Sequence, residues 1–142
     1  MFDTLYSQVG AALIVLVLGF AFLKGEETER IAAGAYGLGW LASMLVQNDS
    51  DLYNAQWSML GIDIIMLLVL GALVWKSRRA WPTWASAAQL LVVTAHVLMV
   101  LDTRPSISSY YTVINLAGYG VLIALAVGTF WAWQERRAAG LE

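Results

Sequence analysis

Apolar residues of the chain fall into five long stretches that are separated by short polar or charged segments. Each stretch has roughly 17–25 residues, the length that an α-helix needs to cross about 30 Å of hydrocarbon. In order along the chain, they cover about residues 6–23, 31–46, 57–75, 81–101 and 110–133. The pattern predicts an all-α fold, an integral membrane bundle of five transmembrane helices that forms a single domain over residues 1–142.

Composition supports this prediction and narrows the classes of function. Of the 142 residues, 60% are hydrophobic and 13% are charged, whereas a soluble domain is typically about 45–50% apolar and about 25% charged. These values exclude a soluble enzyme, a disordered tail and a nucleic-acid-binding domain. Five spans consume about 100 residues, so any function must be carried by the helices or by short loops at the membrane surface. No catalytic residue stands out, which argues against an enzyme.

The chain contains no cysteine and a single histidine, His96. The absence of cysteine excludes thiolate catalysis and cysteine-ligated metal or iron–sulfur centres. One histidine without a second ligand or a recognisable motif does not support haem or another metal. We therefore predict neither a metal site nor a cofactor.

Lysine and arginine residues alternate between the predicted loops. The loop after the first span contains two, the next three loops contain none, three and one, and the C-terminal tail contains two. Cytoplasmic loops of membrane proteins carry the excess of these residues. The alternation predicts an N-terminus outside and a C-terminus in the cytoplasm, for a multi-pass protein of a bacterial-type inner (plasma) membrane.

Local signals suggest where some helices begin and where the natural chain ends. Three glutamates precede or open the second span, where negative charge suits the positive end of the helix dipole. Ser108 or Ser109 is placed to cap the start of the fifth span. At the C-terminus, residues 141–142 follow Ala-Ala-Gly and resemble a cloning remnant, so we expect them to lie outside the natural sequence.

The second span is rich in alanine, glycine and serine. Small residues four apart, as from Ala33 to Gly37 and from Gly39 to Ser43, let helices approach closely in lipid. Packing within the chain accounts for this pattern. The alternative is an interface with a second copy of the chain or with another membrane protein.

One acidic residue, Asp63, lies inside an apolar stretch. An acid within a span costs several kcal/mol, so such a residue usually faces the protein interior and has a partner. At a rise of 1.5 Å per helical residue, Asp63, His96 and Asn115 all lie about 7–9 Å below the predicted outer surface. Because these groups fall on three successive helices, we expect them to form one polar layer.

Helical phase extends this layer. Gln89 precedes His96 by two helical turns and shares its face. Trp40 lies near the middle of its span rather than at an interface, and packing and ligand contact are alternative explanations for it. We predict a ligand or proton site at Asp63, His96, Asn115 and Gln89. Candidates for the lining of a pocket are Trp40 and Tyr119.

The polar layer supports three hypotheses of function. Asp63 and His96 could share a proton, as carboxylate–imidazole pairs do in pumps, which predicts proton- or cation-linked transport or a channel-like activity. The same hydrogen bonds could instead hold together the helices of a non-catalytic accessory or structural subunit of a membrane complex. A pocket at this depth would also suit a quinone or a lipid head group, which predicts a lipid- or quinone-binding protein.

Overall fold

The computed structural model describes residues 4–47, 50, 56–101 and 105–142, and all regular structure in these ranges is α-helical. Most of the segment between the second and third spans, and residues 102–104 before the fifth span, lie outside the described residues. The helices are α1 (Leu5–Lys24), α2 (Glu27–Val46), α3 (Trp57–Lys76), α4 (Trp81–Val100) and α5 (Ile107–Ala138). This arrangement confirms the predicted all-α class.

Four of the helices, α1, α3, α4 and α5, are long and apolar enough to cross a membrane. α2 is 20 residues long, but three charged residues in its first turn and several glycines make it less apolar. Large apolar side chains cover the outside of the bundle; Trp75 is 94% exposed and Leu45 is 86% exposed. Such a surface suits lipid rather than water, and the chain has the features of a membrane-embedded protein.

α2 begins at Glu27, four residues before the predicted start of its span. The Glu29 carboxylate accepts a hydrogen bond from the Glu26 amide (2.9 Å), which satisfies one of the free donors at the helix start. The charged segment is therefore part of the helix rather than a loop.

α5 exceeds its apolar stretch at both ends and is 32 residues long. Its N-cap is Ser106, whose hydroxyl oxygen accepts a hydrogen bond from the Ser109 amide (3.2 Å). The prediction that Ser108 or Ser109 caps the helix was wrong, because both serines already lie in the turn that Ser106 starts. At the other end the helix continues through residues 134–137, since Gln, Glu and Arg are good helix formers.

The helices form a closed ring. Each packs on its neighbours in sequence, α1 and α5 close the ring, and α2 makes a smaller contact with α5. The ring has two ends of different character. We call the end with the α1–α2 and α3–α4 turns and the last turns of α5 the packed end, and the opposite end the open end.

Small and aliphatic side chains fill the packed end. Every helix contributes to this core, and its smallest members, such as Ala21 and Ala33, are fully buried. Small side chains let helix backbones approach, so that dispersion contacts replace the hydrophobic driving force that lipid cannot supply. The core consists of Ala21, Ala32, Ala33, Met66, Leu70, Leu73, Trp81, Ala85, Val121, Ala124 and Leu125.

The small residues of α2 contact other helices of the same chain. A Cβ atom added to Gly37 would lie 3.1 Å from Cδ1 of Leu18 on α1. One added to Gly39 would lie 3.5 Å from Cγ2 of Ile62 on α3. Intramolecular packing therefore explains these glycines, while an interface with another chain stays a prediction.

A buried carboxylate, Glu29, closes the packed end. Its side chain is 0% exposed. Oε1 accepts a hydrogen bond from the Trp81 indole Nε1–H (2.9 Å) and lies 3.7 Å from Nε of Arg79, while Oε2 is engaged by the Glu26 amide. A buried charge is tolerated when its lone pairs are satisfied in this way.

Arg79 joins three parts of the chain at this end. Its guanidinium contacts Oε2 of Glu26 (2.8 Å) at the start of α2 and Oε2 of Glu135 (3.2 Å) on α5. Burial alone would lower the Arg79 pKa, but the carboxylates of Glu29, Glu26 and Glu135 outweigh it and raise the pKa. The guanidinium therefore stays charged and links α2, the α3–α4 turn and α5. We call Glu26, Glu29, Arg79, Trp81 and Glu135 the charged cluster.

We expect Glu29→Ala to destabilise the protein by about 3 kcal/mol, because it leaves Arg79 without its buried counter-charge and the Trp81 N–H without an acceptor. Unfolding in detergent micelles, followed by tryptophan fluorescence as SDS is added, measures the loss.

Glu27→Ala is the matched control, because Glu27 forms an exposed pair with Lys76 (2.7 Å). The hydrogen bond from Lys76 lowers the Glu27 pKa, so this pair adds stability above the unfolded-state pKa and loses it as pH falls through the lowered value. Solvent screening keeps its effect small. Equal losses in the two variants would contradict the role assigned to Glu29.

We also expect Gly128→Ala to destabilise the packed end. The Trp81 indole lies directly against Gly128 of α5, where a Cβ atom would collide with the ring, and overpacking of this kind costs about 1–3 kcal/mol. Gly71→Ala is the control, because open space surrounds that position. The same unfolding measurement applies, and a neutral Gly128→Ala would show that the ring can move away.

Candidate functional site

The pair formed by Asp63 and His96 is the centre of the site. Asp63 on α3 and His96 on α4 are brought together by the antiparallel packing of the two helices, with Asp63 Oδ2 2.9 Å from His96 Nε2. The histidine side chain is 5% exposed and the aspartate side chain 21% exposed. The aspartate side chain is therefore partly exposed to open space, while the histidine contacts it from the interior of the bundle.

Gln89 satisfies the other carboxylate oxygen. Its Nε2 donates to Asp63 Oδ1 (2.8 Å) and to the Asp63 backbone carbonyl (3.2 Å). Gln89 is buried, and it shares a face of α4 with His96 because the two are two turns apart. Both carboxylate oxygens thus have a donor.

Tyr110 of α5 completes the chain of hydrogen bonds. Its hydroxyl lies 2.7 Å from His96 Nδ1, and the two rings meet edge to face at 5.7 Å between centroids. Tyr110 was not among the residues predicted for the site. The sequence feature that could have indicated this contact is the lone histidine, because a buried imidazole needs a hydrogen-bond partner on each nitrogen.

The geometry accommodates two protonation states of His96. With the Nε2–H donated to Asp63, the Nδ1 of a neutral imidazole accepts the Tyr110 hydroxyl proton. When Nδ1 gains a proton, it can donate to the Tyr110 oxygen instead. Both ring nitrogens of His96 therefore keep a hydrogen-bond partner in either state.

The pair lies in the wall of a cleft of about 420 Å³ at the open end of the ring. All five helices line this cleft, from Tyr6 on α1 to Leu122 on α5. A volume of this size lies in the range of small-molecule pockets and far above the roughly 30 Å³ that one water molecule occupies.

The remaining predicted residues also line the cleft. Trp40 and Tyr119 are half-buried, and Asn115 is exposed to the cleft without a hydrogen bond to the Asp63–His96 pair in the described structure. The structure therefore joins Asp63, His96 and Gln89 directly and places Asn115 beside them. Whether these residues bind a ligand or a proton stays a prediction.

The chemistry of the lining is uneven. Asp63 is its carboxylate and His96 its imidazole, and neither lysine nor arginine is among the described lining residues. Gln56 at the mouth has a buried side-chain oxygen that lacks a hydrogen-bond partner within the described ranges. In the same ranges, no group of three or more His, Cys, Asp or Glu side chains could hold a metal ion. The cleft thus offers acceptors and one negative charge.

Comparison with known proteins finds no matching family model, no matching curated protein and no matching solved structure. The function must therefore be inferred from the side chains of the cleft and from the bundle that holds them.

The single histidine makes the hydrogen-bond chain testable by NMR of protein labelled with ¹⁵N-histidine. We expect Tyr110→Phe to change the ¹⁵N shifts of His96, because the hydrogen-bond partner of Nδ1 is lost. Tyr119→Phe is the control, since Tyr119 lines the same cleft without bonding to His96. Identical spectra for wild type and Tyr110→Phe would contradict the contact.

Proposed function

We propose that this protein is a five-span protein of a bacterial-type inner membrane that exchanges a cation for a proton at the Asp63–His96 pair. In this proposal α2 is the fifth span, because it has the same 20-residue length as α1, α3 and α4 and completes the ring. The N-terminus lies outside and the C-terminus in the cytoplasm. The reaction class is transport or binding rather than catalysis.

The distribution of positive residues supports this orientation. Lys24, Lys76, Arg78, Arg79 and Arg136 all belong to the packed end. Lysine and arginine mark the cytoplasmic side even where acidic residues accompany them. The packed end then faces the cytoplasm, and the cleft opens towards the outside.

The single observation that carries the proposal is the position of the Asp63–His96 pair in the wall of the cleft. Ionisable residues within membrane spans are rare because they are costly, and they mark ion pathways and proton relays. A carboxylate that served only to hold helices together would need no open space beside it.

Charge balance at the pair couples the cation to the proton. With a neutral imidazole the pair has a net charge of −1, and one added proton brings it to zero. A cation beside Asp63 stabilises the deprotonated state, and protonation weakens cation binding by the same factor. One site therefore holds either ion in turn.

The packed end supports the separation of the two sides that such exchange requires. Leu70, Leu125 and Ala33 are buried between the cleft and the charged cluster. In the described ranges these side chains block passage through the packed end, and release to that side would require the packed end to open. We propose this opening as the transport step.

A structural role is the second candidate. The chain Tyr110–His96–Asp63–Gln89 joins α3, α4 and α5, as interhelical hydrogen bonds do in membrane bundles. Under this hypothesis the protein is a non-catalytic subunit of a larger membrane assembly, and the cleft has no ligand of its own.

Proton counterflow in liposomes tests the proposal. The purified protein is reconstituted with the pH dye pyranine inside, and Na⁺, K⁺ or benzyltrimethylammonium is added outside. We expect at least one cation to raise the internal pH with wild type and with the exposed control Glu27→Gln. Asp63→Asn should abolish the exchange, and His96→Gln should shift its pH dependence, because the charge and the proton acceptor are lost.

Thermal unfolding of the same variants separates the two candidates. Exchange should fail in Asp63→Asn while the variant remains folded. If no cation moves protons with wild type, and Asp63→Asn and His96→Gln both unfold at markedly lower temperature, the structural role replaces the proposed one.

A further inference from the structure

The cleft has two walls of different chemistry. α3 and α4 contribute the carboxylate and its donors, whereas α1, α2 and α5 contribute aromatic rings. The aromatic residues are Tyr6, Tyr36, Trp40, Tyr110, Tyr111 and Tyr119. We infer that the cation taken by this cleft is organic, a quaternary or protonated amine with an apolar body. This inference rests on the proposed function and specifies its substrate class.

Aromatic faces and a carboxylate are together the means by which proteins recognise organic cations. A ring quadrupole attracts a cation placed over its face, tryptophan most strongly, and the attraction grows when water is excluded. Trp40 and Tyr36 are one turn apart on α2 and line the cleft with Asp63 of the neighbouring α3. An organic cation between these walls would meet a negative charge and ring faces at once.

Glycines of neighbouring helices lie beside two of these tyrosines. A Cβ atom at Gly118 of α5 would lie 3.7 Å from the Tyr36 hydroxyl, an ordinary contact distance, whereas one at Gly10 of α1 would lie 3.3 Å from the Tyr119 hydroxyl, which is a tight contact. The Tyr119 hydroxyl therefore packs closely on α1, and the Tyr36 hydroxyl lies next to α5. The aromatic wall is therefore built by the packing of α1, α2 and α5.

Other ligand classes fit this cleft less well. Calcium sites surround the ion with six or more oxygen ligands that include carboxylates, whereas the described lining residues include a single carboxylate, that of Asp63. An anion would meet the Asp63 carboxylate with no lysine or arginine among the described lining residues. A neutral apolar molecule would exclude water from that carboxylate without supplying a counter-charge.

Size also favours an organic cation. The cleft of about 420 Å³ would hold a desolvated alkali ion with most of its space unfilled. Met44, Met59 and Met66 complete the lining, and flexible, polarisable thioethers adapt to apolar bodies of varied shape. The combination indicates a site that selects by charge and accepts a range of apolar groups.

Benzyltrimethylammonium and its neutral isostere neopentylbenzene test this inference. Each is added to the purified protein in a neutral detergent, with binding measured by calorimetry and by the ¹⁵N shifts of His96. We expect the cation to bind, to shift the His96 signals and to bind more weakly as pH falls. The isostere should do neither, because it lacks the charge.

Variants of the two walls identify the contacts. Trp40→Leu should weaken binding of benzyltrimethylammonium by roughly tenfold, while Trp40→Phe should retain most of it because a ring face remains. Trp75→Leu is the matched control, since Trp75 is exposed on the outside of the bundle. Asp63→Asn should abolish binding.

The outcomes separate this inference from the proposed function. If Na⁺ or K⁺ shifts the His96 signals and exchanges for protons while benzyltrimethylammonium does not bind, the organic class is wrong and proton-linked exchange stands. Equal binding of neopentylbenzene would show a pocket for neutral apolar molecules. If the organic cation binds equally well to Asp63→Asn, the exchange mechanism itself fails.

Discussion

The Asp63 carboxylate is the group on which the arrangement of α3, α4 and α5 depends. A carboxylate within an apolar span is tolerated only with donors on its oxygens, and here Gln89 and His96 supply them. That requirement sets the register of α3 against α4. The imidazole then needs a partner for its second nitrogen, and Tyr110 provides it, which sets α5 against α4. One acidic side chain thus constrains the relative positions of three helices.

The two ends of the ring differ in how closely their side chains pack. In lipid, helices gain little from hiding apolar surface, so close packing and polar contacts must hold them together. The packed end meets this need with small side chains, the Trp81–Gly128 contact and the charged cluster. Because these interactions join all parts of the ring at one end, the other end can enclose a cleft without losing its shape. The open end has large aromatic residues where the packed end has alanine.

The helices and the central pair could be predicted from sequence because both depend on local rules. Apolar length predicts the helices, and rise per residue places Asp63 and His96 at one depth. The contact of His96 with Tyr110 escaped prediction because the start of α5 was placed at residue 110 and not at Ile107. Glu29 was interpreted through the helix dipole alone, although its burial depends on Trp81 from α4. A pocket lined by Trp40 and Tyr119 was predicted, but the volume of the cleft and most of its lining were not, since these depend on how five helices close into a ring.

The structural role and the proposed ion-exchange role of the Asp63 network depend on the same hydrogen bonds. His96 can change its protonation state without losing a partner because Tyr110 can act as donor or acceptor. Yet protonation of His96 reverses the direction of that hydrogen bond and adds a positive charge to the imidazole that contacts Asp63 of α3. A ligand that neutralises Asp63 therefore alters the energy of the contacts that hold α3, α4 and α5 together. In the proposed function, one carboxylate therefore links binding in the cleft to the packing of the ring, because it takes part in both.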